Sequence, residues 1–240
     1  MSESNAHPGH DIAAYGDENP YRRENDLMGD RYVALIRQHD SSLKSFLELG
    51  IGFGKTLELL SQHVGELAVV DGEPRLIESV REHYPVVSFH ESMFEEFTTD
   101  DRYQGIGMGF VLDLVSDPAA MLRQYASFLA PDGRIYVCVE CAGSLHRRIA
   151  HAAGLLPDLR QMSKFNEAYG HQRFATYEDW MEIFEDSGMT VTHTFGLFLK
   201  PLTTAQIESL NLDDRIYRAL GTVAKDYPEI SNACFFVLER

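Results

Sequence analysis

Apolar and polar positions along the chain change period in a regular order. Met28, Tyr32, Leu35 and Ile36 recur at helical spacing, which predicts a helix leading out of Tyr21-Arg22-Arg23-Glu24-Asn25-Asp26. An apolar run over 45–49 follows, broken only by Glu48, and reads as a first buried strand. Leu57, Leu59, Leu60 and Val64 return to the helical period. Leu67-Ala68-Val69-Val70 then forms a second buried strand that ends on Asp71. A helix over 75–83 stops at Tyr84-Pro85, and 86–90 is a third strand. Phe94 and Phe97, just beyond it, read as core anchors. The glycine-rich stretch 105–112 predicts strand four. Met121, Leu122, Tyr125 and Leu129 mark an amphipathic helix over 118–129. Pro131-Asp132-Gly133 predicts a turn, and 134–140 a fifth buried strand. Strands that alternate with helices and are apolar on both faces predict a doubly wound, mostly parallel sheet.

The alternation breaks at 141–176, which is too long for an ordinary connection. Arg147, Arg148, Arg160, Lys164 and Arg173 outnumber the acids Asp158 and Glu167 there, and His146, His151 and His171 lie among them. We expect a helical cap inserted after strand five. The sheet pattern resumes with a helix over 177–187, stopped by Gly188, and a sixth strand over 191–199. A helical stretch over 203–220 has a break expected at 211–213, and the last strand is expected at 232–238. Residues 1–20 are polar and read as a flexible arm that carries His7 and His10; 21–240 reads as a single domain.

The most informative stretch is Glu48-Leu49-Gly50-Ile51-Gly52-Phe53-Gly54-Lys55, where a strand gives way to a helix through three glycines at alternate positions. Glycine tolerates positive φ and lets a ligand approach the backbone. A helix start offers unpaired N–H groups to an anionic group. Asp71 stands about 20 residues further on, the interval at which a nucleotide-binding unit places the acid that accepts ribose hydroxyls. A dinucleotide fingerprint puts its third glycine three residues after the second. Here Gly54 comes two after Gly52.

The E-x-G-x-G-x-G spacing resembles motif I of the class I S-adenosylmethionine-dependent methyltransferases. Asp71-Gly72 stands where that family keeps its ribose acid, Ser92-Met93 where it keeps the adenine-contacting pair, and Phe110-Val111-Leu112-Asp113 matches its segment after strand four. Leu129-Ala130-Pro131-Asp132-Gly133-Arg134 resembles the L-x-P-G-G turn before strand five, with Asp132 replacing a glycine. The resemblance implies a seven-stranded Rossmann-like sheet with an antiparallel last strand. It implies S-adenosyl-L-methionine as cofactor, with Glu48, Gly50, Gly52, Gly54, Asp71, Gly72, Ser92, Met93 and Phe110 as its binding residues. The adenine amine falls to Ser92 or to Glu91.

Charge narrows the partners. The net charge of -16 over 240 residues argues against a nucleic-acid binder or an anionic-membrane binder. No D-P-P-Y-type loop and no Pro-Cys pair follow strand four, as base methylases would require. Cys138, Cys141 and Cys234 have no zinc-like spacing, which suits reduced thiols in the cytoplasm. No run of about 18 apolar residues and no apolar leader is seen. No metal is expected. A homodimer is left open.

An attacking hydroxyl needs a base, whereas a neutral amine does not at the moment of attack. His171, His146, Tyr169 and Asp113 are the candidates, with Gly170-His171-Gln172-Arg173 the strongest stretch. Arg147, Arg148 and Arg173 would suit a small anionic acceptor such as a carboxylate, phosphate ester or nucleotide sugar. The expected activity is methyl transfer to an oxygen or nitrogen of a small metabolite, sugar or natural-product intermediate. A nicotinamide-dependent oxidoreductase and a non-catalytic S-adenosylmethionine-binding protein are the alternatives.

Overall fold

The computed structural model describes Asn19 and residues 21–52 and 54–240. The expected arm, His7 and His10 included, lies outside these residues apart from Asn19, as does Phe53 of the glycine stretch. The chain runs α1 (Arg22–His39), β1 (Ser45–Leu49), α2 (Lys55–Ser61), β2 (Glu66–Asp71), α3 (Pro74–Arg81), β3 (Ser88–Glu91) and β4 (Tyr103–Gly109). It continues through α4 (Pro118–Ala126), β5 (Leu129–Glu140), α5 (Leu145–Ala152), α6 (Lys164–Ala168), α7 (Tyr177–Asp186), β6 (Thr190–Gly196), α8 (Thr204–Ser209), α9 (Asp214–Ala224) and β7 (Ala233–Glu239).

The seven strands form one sheet in the order β3-β2-β1-β4-β5-β7-β6. Strands β1 to β5 pair in parallel, and β7 runs antiparallel to both β5 and β6. Alternation along each strand divides the core between the two faces. Leu47 and Leu49 of β1 join Met121, Leu122 and Tyr125 of α4 and Trp180 and Phe184 of α7 on one face. Phe46 joins Tyr32, Val33 and Ile36 of α1, Leu57 and Leu60 of α2 and Tyr217 of α9 on the other. Phe97 is buried in the first of these clusters and Phe94 packs against it.

Local chemistry sets the helix starts. The Asp117 side chain accepts the Ala120 N–H and Pro118 opens α4. Thr176 and Asp179 form a reciprocal capping box on α7.

Two strand limits differ from expectation. Strand four ends at Gly109, because Phe110 takes φ 60° and turns the chain out of the sheet. Strand five begins at Leu129 and runs through the expected turn, with Asp132 at φ 60° and a register shift between Tyr103 and Gly105 absorbing the irregularity. The segment 141–176 carries the short helices α5 and α6.

Candidate active site at the carboxyl edge of the sheet

The strand order reverses between β1 and β4, since β2 and β3 lie to one side and β5 to the other. In an open α/β sheet the ligand crevice forms at that reversal, beyond the strands' carboxyl ends. The three glycines of the first loop sit there with φ of 84° at Gly50, 53° at Gly52 and 78° at Gly54, a region that disfavours any side chain. Among the described residues, a Cβ at Gly52 or Gly54 would meet no heavy atom within 4 Å, which leaves the loop backbone open to a ligand.

Asp71, at the tip of β2, is buried. Its Oδ2 accepts the Ile51 N–H at 2.9 Å and its Oδ1 accepts the Glu73 N–H at 2.8 Å. Each oxygen keeps a second lone pair for a further donor. The next residue, Gly72, lies against Met93, whose Sδ would be 2.9 Å from a Cβ there. The Ser92 amide donates to the Asp71 carbonyl, and the Ser92 hydroxyl to the Met93 carbonyl at 2.9 Å. Glycine loop, Asp71, Gly72 and Ser92-Met93 thus form one continuous rim.

A polar cluster occupies the same edge beyond β4 and β5. Asp113 is completely buried, and neither carboxyl oxygen forms a well-aligned hydrogen bond among the described residues, although the Glu140 amide lies near enough to offset part of the burial. Burial, reinforced by the Glu140 carboxylate, pushes its carboxyl well above the usual range. Glu140 ends β5, and its Oε2 accepts the Asn166 side-chain amide of α6 at 2.9 Å. Its pKa is raised, mainly by burial. The Asn166 Oδ1 accepts in turn from Ser163. Behind this pair, Glu24 of α1 accepts from Lys200 at 3.0 Å, Thr204 at 2.8 Å and Asn232 at 2.7 Å.

A family model described as methyltransferase domain matches residues 21–194. The chain belongs to the methyltransferase-domain family. This methyltransferase is also similar in fold to solved structures of low sequence identity. The N-methyltransferase NodS from Bradyrhizobium japonicum WM9, in complex with S-adenosylhomocysteine, is 15% identical with TM-score 0.55, over 96% of this chain and 92% of that one. The 1,6-didemethyltoxoflavin-N1-methyltransferase of Burkholderia thailandensis is 14% identical with TM-score 0.63, over 95% and 84%. Magnesium protoporphyrin IX methyltransferase from Synechocystis PCC 6803 is 14% identical with TM-score 0.62, over 95% and 92%. No curated protein sequence matches the chain. Family membership sets aside the nicotinamide alternative.

The rim of the methyltransferase fits the family's cofactor, S-adenosylmethionine. An open backbone cradle at Gly52 and Gly54 and a fixed acid at Asp71 are the features a nucleoside carrying an amino-acid tail requires. Phe110, half-buried just past β4, stands beside the reversal point. Glu48 lies apart from the rim residues. It is buried toward α1, accepts the Tyr32 hydroxyl at 3.1 Å, and stands where a Cβ on Gly107 would overlap it. Burial raises its pKa to about 8.

The predicted catalytic and substrate residues separate into two sets. Asp113 and His171 come together: the Gln172 amide donates to the Asp113 carbonyl, and the His171 amide to the Asn166 carbonyl. The His171 Nδ1 is buried with no partner among the described residues, and burial lowers its pKa. His146 pairs with Ser144 through Nδ1 at 3.2 Å. Burial, Lys200 and Arg147 lower its pKa to about 3, which makes it a weak base. Tyr169 is half-buried, two residues before His171.

Each of the arginines donates to at least one main-chain carbonyl. Arg147 donates to Leu159 and Gln161 and lies 4.5 Å from the centre of the Phe174 ring. Arg148 donates to Gly143 at 2.6 Å. Arg173 donates to Leu112 and Val115, each at 2.7 Å, and to Ser116 at 2.8 Å. They brace the segment after β5 and the loop after β4.

Sequence reading missed Glu24, Glu140, Asn166 and Lys200. Glu140 carries a legible signal, an acid on the last residue of a buried strand, as Asp71 is. Asn166 and Lys200 have none, because their partners are 26 and 176 residues away. Among the described residues, no group of three His, Cys, Asp or Glu could hold a metal ion, and no helix is long and apolar enough to cross a membrane.

Proposed function

We propose that this methyltransferase acts on a nitrogen or oxygen of a small molecule, with the segment 141–176 as the lid over the acceptor. When bound, S-adenosylmethionine supplies an electrophilic methyl on positively charged sulfur. The chain's own work is to hold the reactants in line and keep water out. Gly50, Gly52 and Gly54 admit the amino-acid tail to the backbone, Asp71 accepts from the ribose hydroxyls, and Gly72, Ser92 and Met93 wall the adenine. Phe110 stands between cofactor and acceptor. His171 and Tyr169 face the acceptor, with Asp113 buried behind them. His171 remains neutral at pH 7, so it is available to take a proton from an attacking hydroxyl.

The observation that carries this reading is the bond from Ile51 to Asp71, which makes the glycine loop and the ribose acid one preorganised unit. A nitrogen acceptor agrees with two of the neighbours, which are N-methyltransferases. Arg147, Arg148 and Arg173 each donate to a main-chain carbonyl and keep their charge, so they speak neither for nor against an anionic acceptor.

Calorimetric titration with S-adenosylmethionine and S-adenosylhomocysteine tests the reading. Micromolar binding, weakened in Asp71→Ala, supports it, and absence of binding to either ligand overturns it. A non-catalytic cofactor binder would bind both ligands yet release no S-adenosylhomocysteine with any amine or hydroxyl acceptor.

A further inference from the structure

We propose that Glu140, backed by Asp113, receives the N–H or O–H of the methyl acceptor, so that the acceptor is a neutral or cationic amine or alcohol. This rests on the methyltransferase reading and names the acceptor class for it.

Three observations carry it. The first is placement. Glu140 is the last residue of β5, the strand next to β4 on the side of the reversal point away from the nucleoside rim. It is enclosed by protein yet keeps solvent-accessible surface, whereas Asp113 behind it has none. A side chain so placed can meet a ligand at the carboxyl edge of the sheet.

The second is orientation. Asn166, itself 5% exposed, donates to Glu140 Oε2, and its own carbonyl is fixed by Ser163. The main-chain carbonyl of Glu140 accepts the Trp180 indole N–H at 3.1 Å. Rotamer and backbone are both held, as a positioned acceptor requires.

The third is the supply of donors. Lys200 donates to Glu24, Arg147 to Leu159 and Gln161, and Arg173 to Leu112, Val115 and Ser116, so these donors are spent away from Glu140. His146 and His171 are held neutral by burial. Asp113 is shut off from solvent, so Glu140 is the carboxyl a ligand N–H or O–H can reach, and such a donor satisfies an acceptor that the neighbouring side chains other than Asn166 leave open. A ligand carboxylate or phosphate is itself an acceptor and supplies no such donor.

The test uses protein loaded with S-adenosylhomocysteine and three matched probes, benzylamine, benzyl alcohol and benzoate, with affinities read by saturation-transfer NMR. Benzylamine should bind at least 5-fold more tightly than benzoate, and Glu140→Gln should shrink that ratio at least 3-fold while S-adenosylhomocysteine affinity stays within 2-fold. Where Glu140→Gln fails to fold, Asn166→Ala, which frees the Glu140 side chain, should shrink the ratio in the same direction. Benzoate binding as well as benzylamine, a ratio unmoved by the substitutions, or binding of none of the three probes overturns the proposal. Failure of S-adenosylhomocysteine itself to bind overturns the methyltransferase reading instead, and this proposal falls with it.

Discussion

The Asp71 carboxylate and the Ile51 amide stand 2.9 Å apart, so the tip of β2 holds the middle of the glycine loop. A buried hydrogen bond from an amide to a charged acceptor contributes about 1.5–3 kcal/mol. Asp71→Ala should therefore loosen the loop as well as remove the ribose acceptor. We expect S-adenosylhomocysteine affinity to fall at least 10-fold by calorimetry and the Tm to drop in the unliganded protein. A weakened affinity with an unchanged unliganded Tm would show that Asp71 serves the ligand alone.

Phe110 takes φ 60° at the exit from β4, where any Cβ is strained by about 1–2 kcal/mol. The strain is isolated by comparing two variants that both lose the ring. Phe110→Gly should be more stable than Phe110→Ala by about 1 kcal/mol in urea unfolding, the reverse of the usual order. Equal stabilities would mean that the turn relaxes once the ring is gone.

The sheet and the glycine turn were legible in the sequence because both rest on local signals. The period of the apolar runs marks buried strands, and glycines at 50, 52 and 54 mark a turn that only glycine tolerates. The exit at Phe110 was not legible: Phe110-Val111-Leu112 is apolar and reads as more strand, and only the positive φ of Phe110 reveals the turn. The arginines after β5 were legible as a basic cluster but not in role, because a guanidinium signals charge in sequence and its carbonyl partners carry no signal. The Glu24–Lys200 pair joins residues 176 positions apart and has no local trace.

Arg173 fastens the loop that carries Asp113, through three bonds to Leu112, Val115 and Ser116. Lysine cannot reproduce a forked set of donors. Arg173→Lys should cost about 1.5–3 kcal/mol in stability and lower turnover, leaving the ratio of amine to carboxylate binding unchanged. A selective loss of binding to carboxylate compounds would return Arg173 to a role in holding an anionic acceptor.

Lys200 and Glu24 form an ion pair that is 7% and 4% exposed, tying α1 to the chain beyond β6. Removing one partner of such a pair leaves an uncompensated charge and costs about 3–5 kcal/mol. Lys200→Met should therefore be strongly destabilised in denaturant melts. Adding Glu24→Gln should restore at least half of the loss, since Gln can still accept from Thr204 or Asn232. A double variant as unstable as the single one would assign the loss to packing rather than charge.

Glu48 gives the protein a pH-dependent stability whose sign follows from burial. Its folded pKa is raised from 4.5 to about 8, first by desolvation, with the Tyr32 hydrogen bond opposing. Between these values the folded state holds a proton that the unfolded state has released, so stability falls as pH rises. The contribution is favourable below about pH 4.5 and its loss is complete above about pH 8. Glu48→Gln is neutral at every pH and keeps an oxygen for Tyr32. It should flatten the slope of Tm against pH between 5 and 8 and exceed the wild type at the upper end. An unchanged slope would mean that Glu48 is ionised in the folded protein, with its charge balanced by a group other than Tyr32.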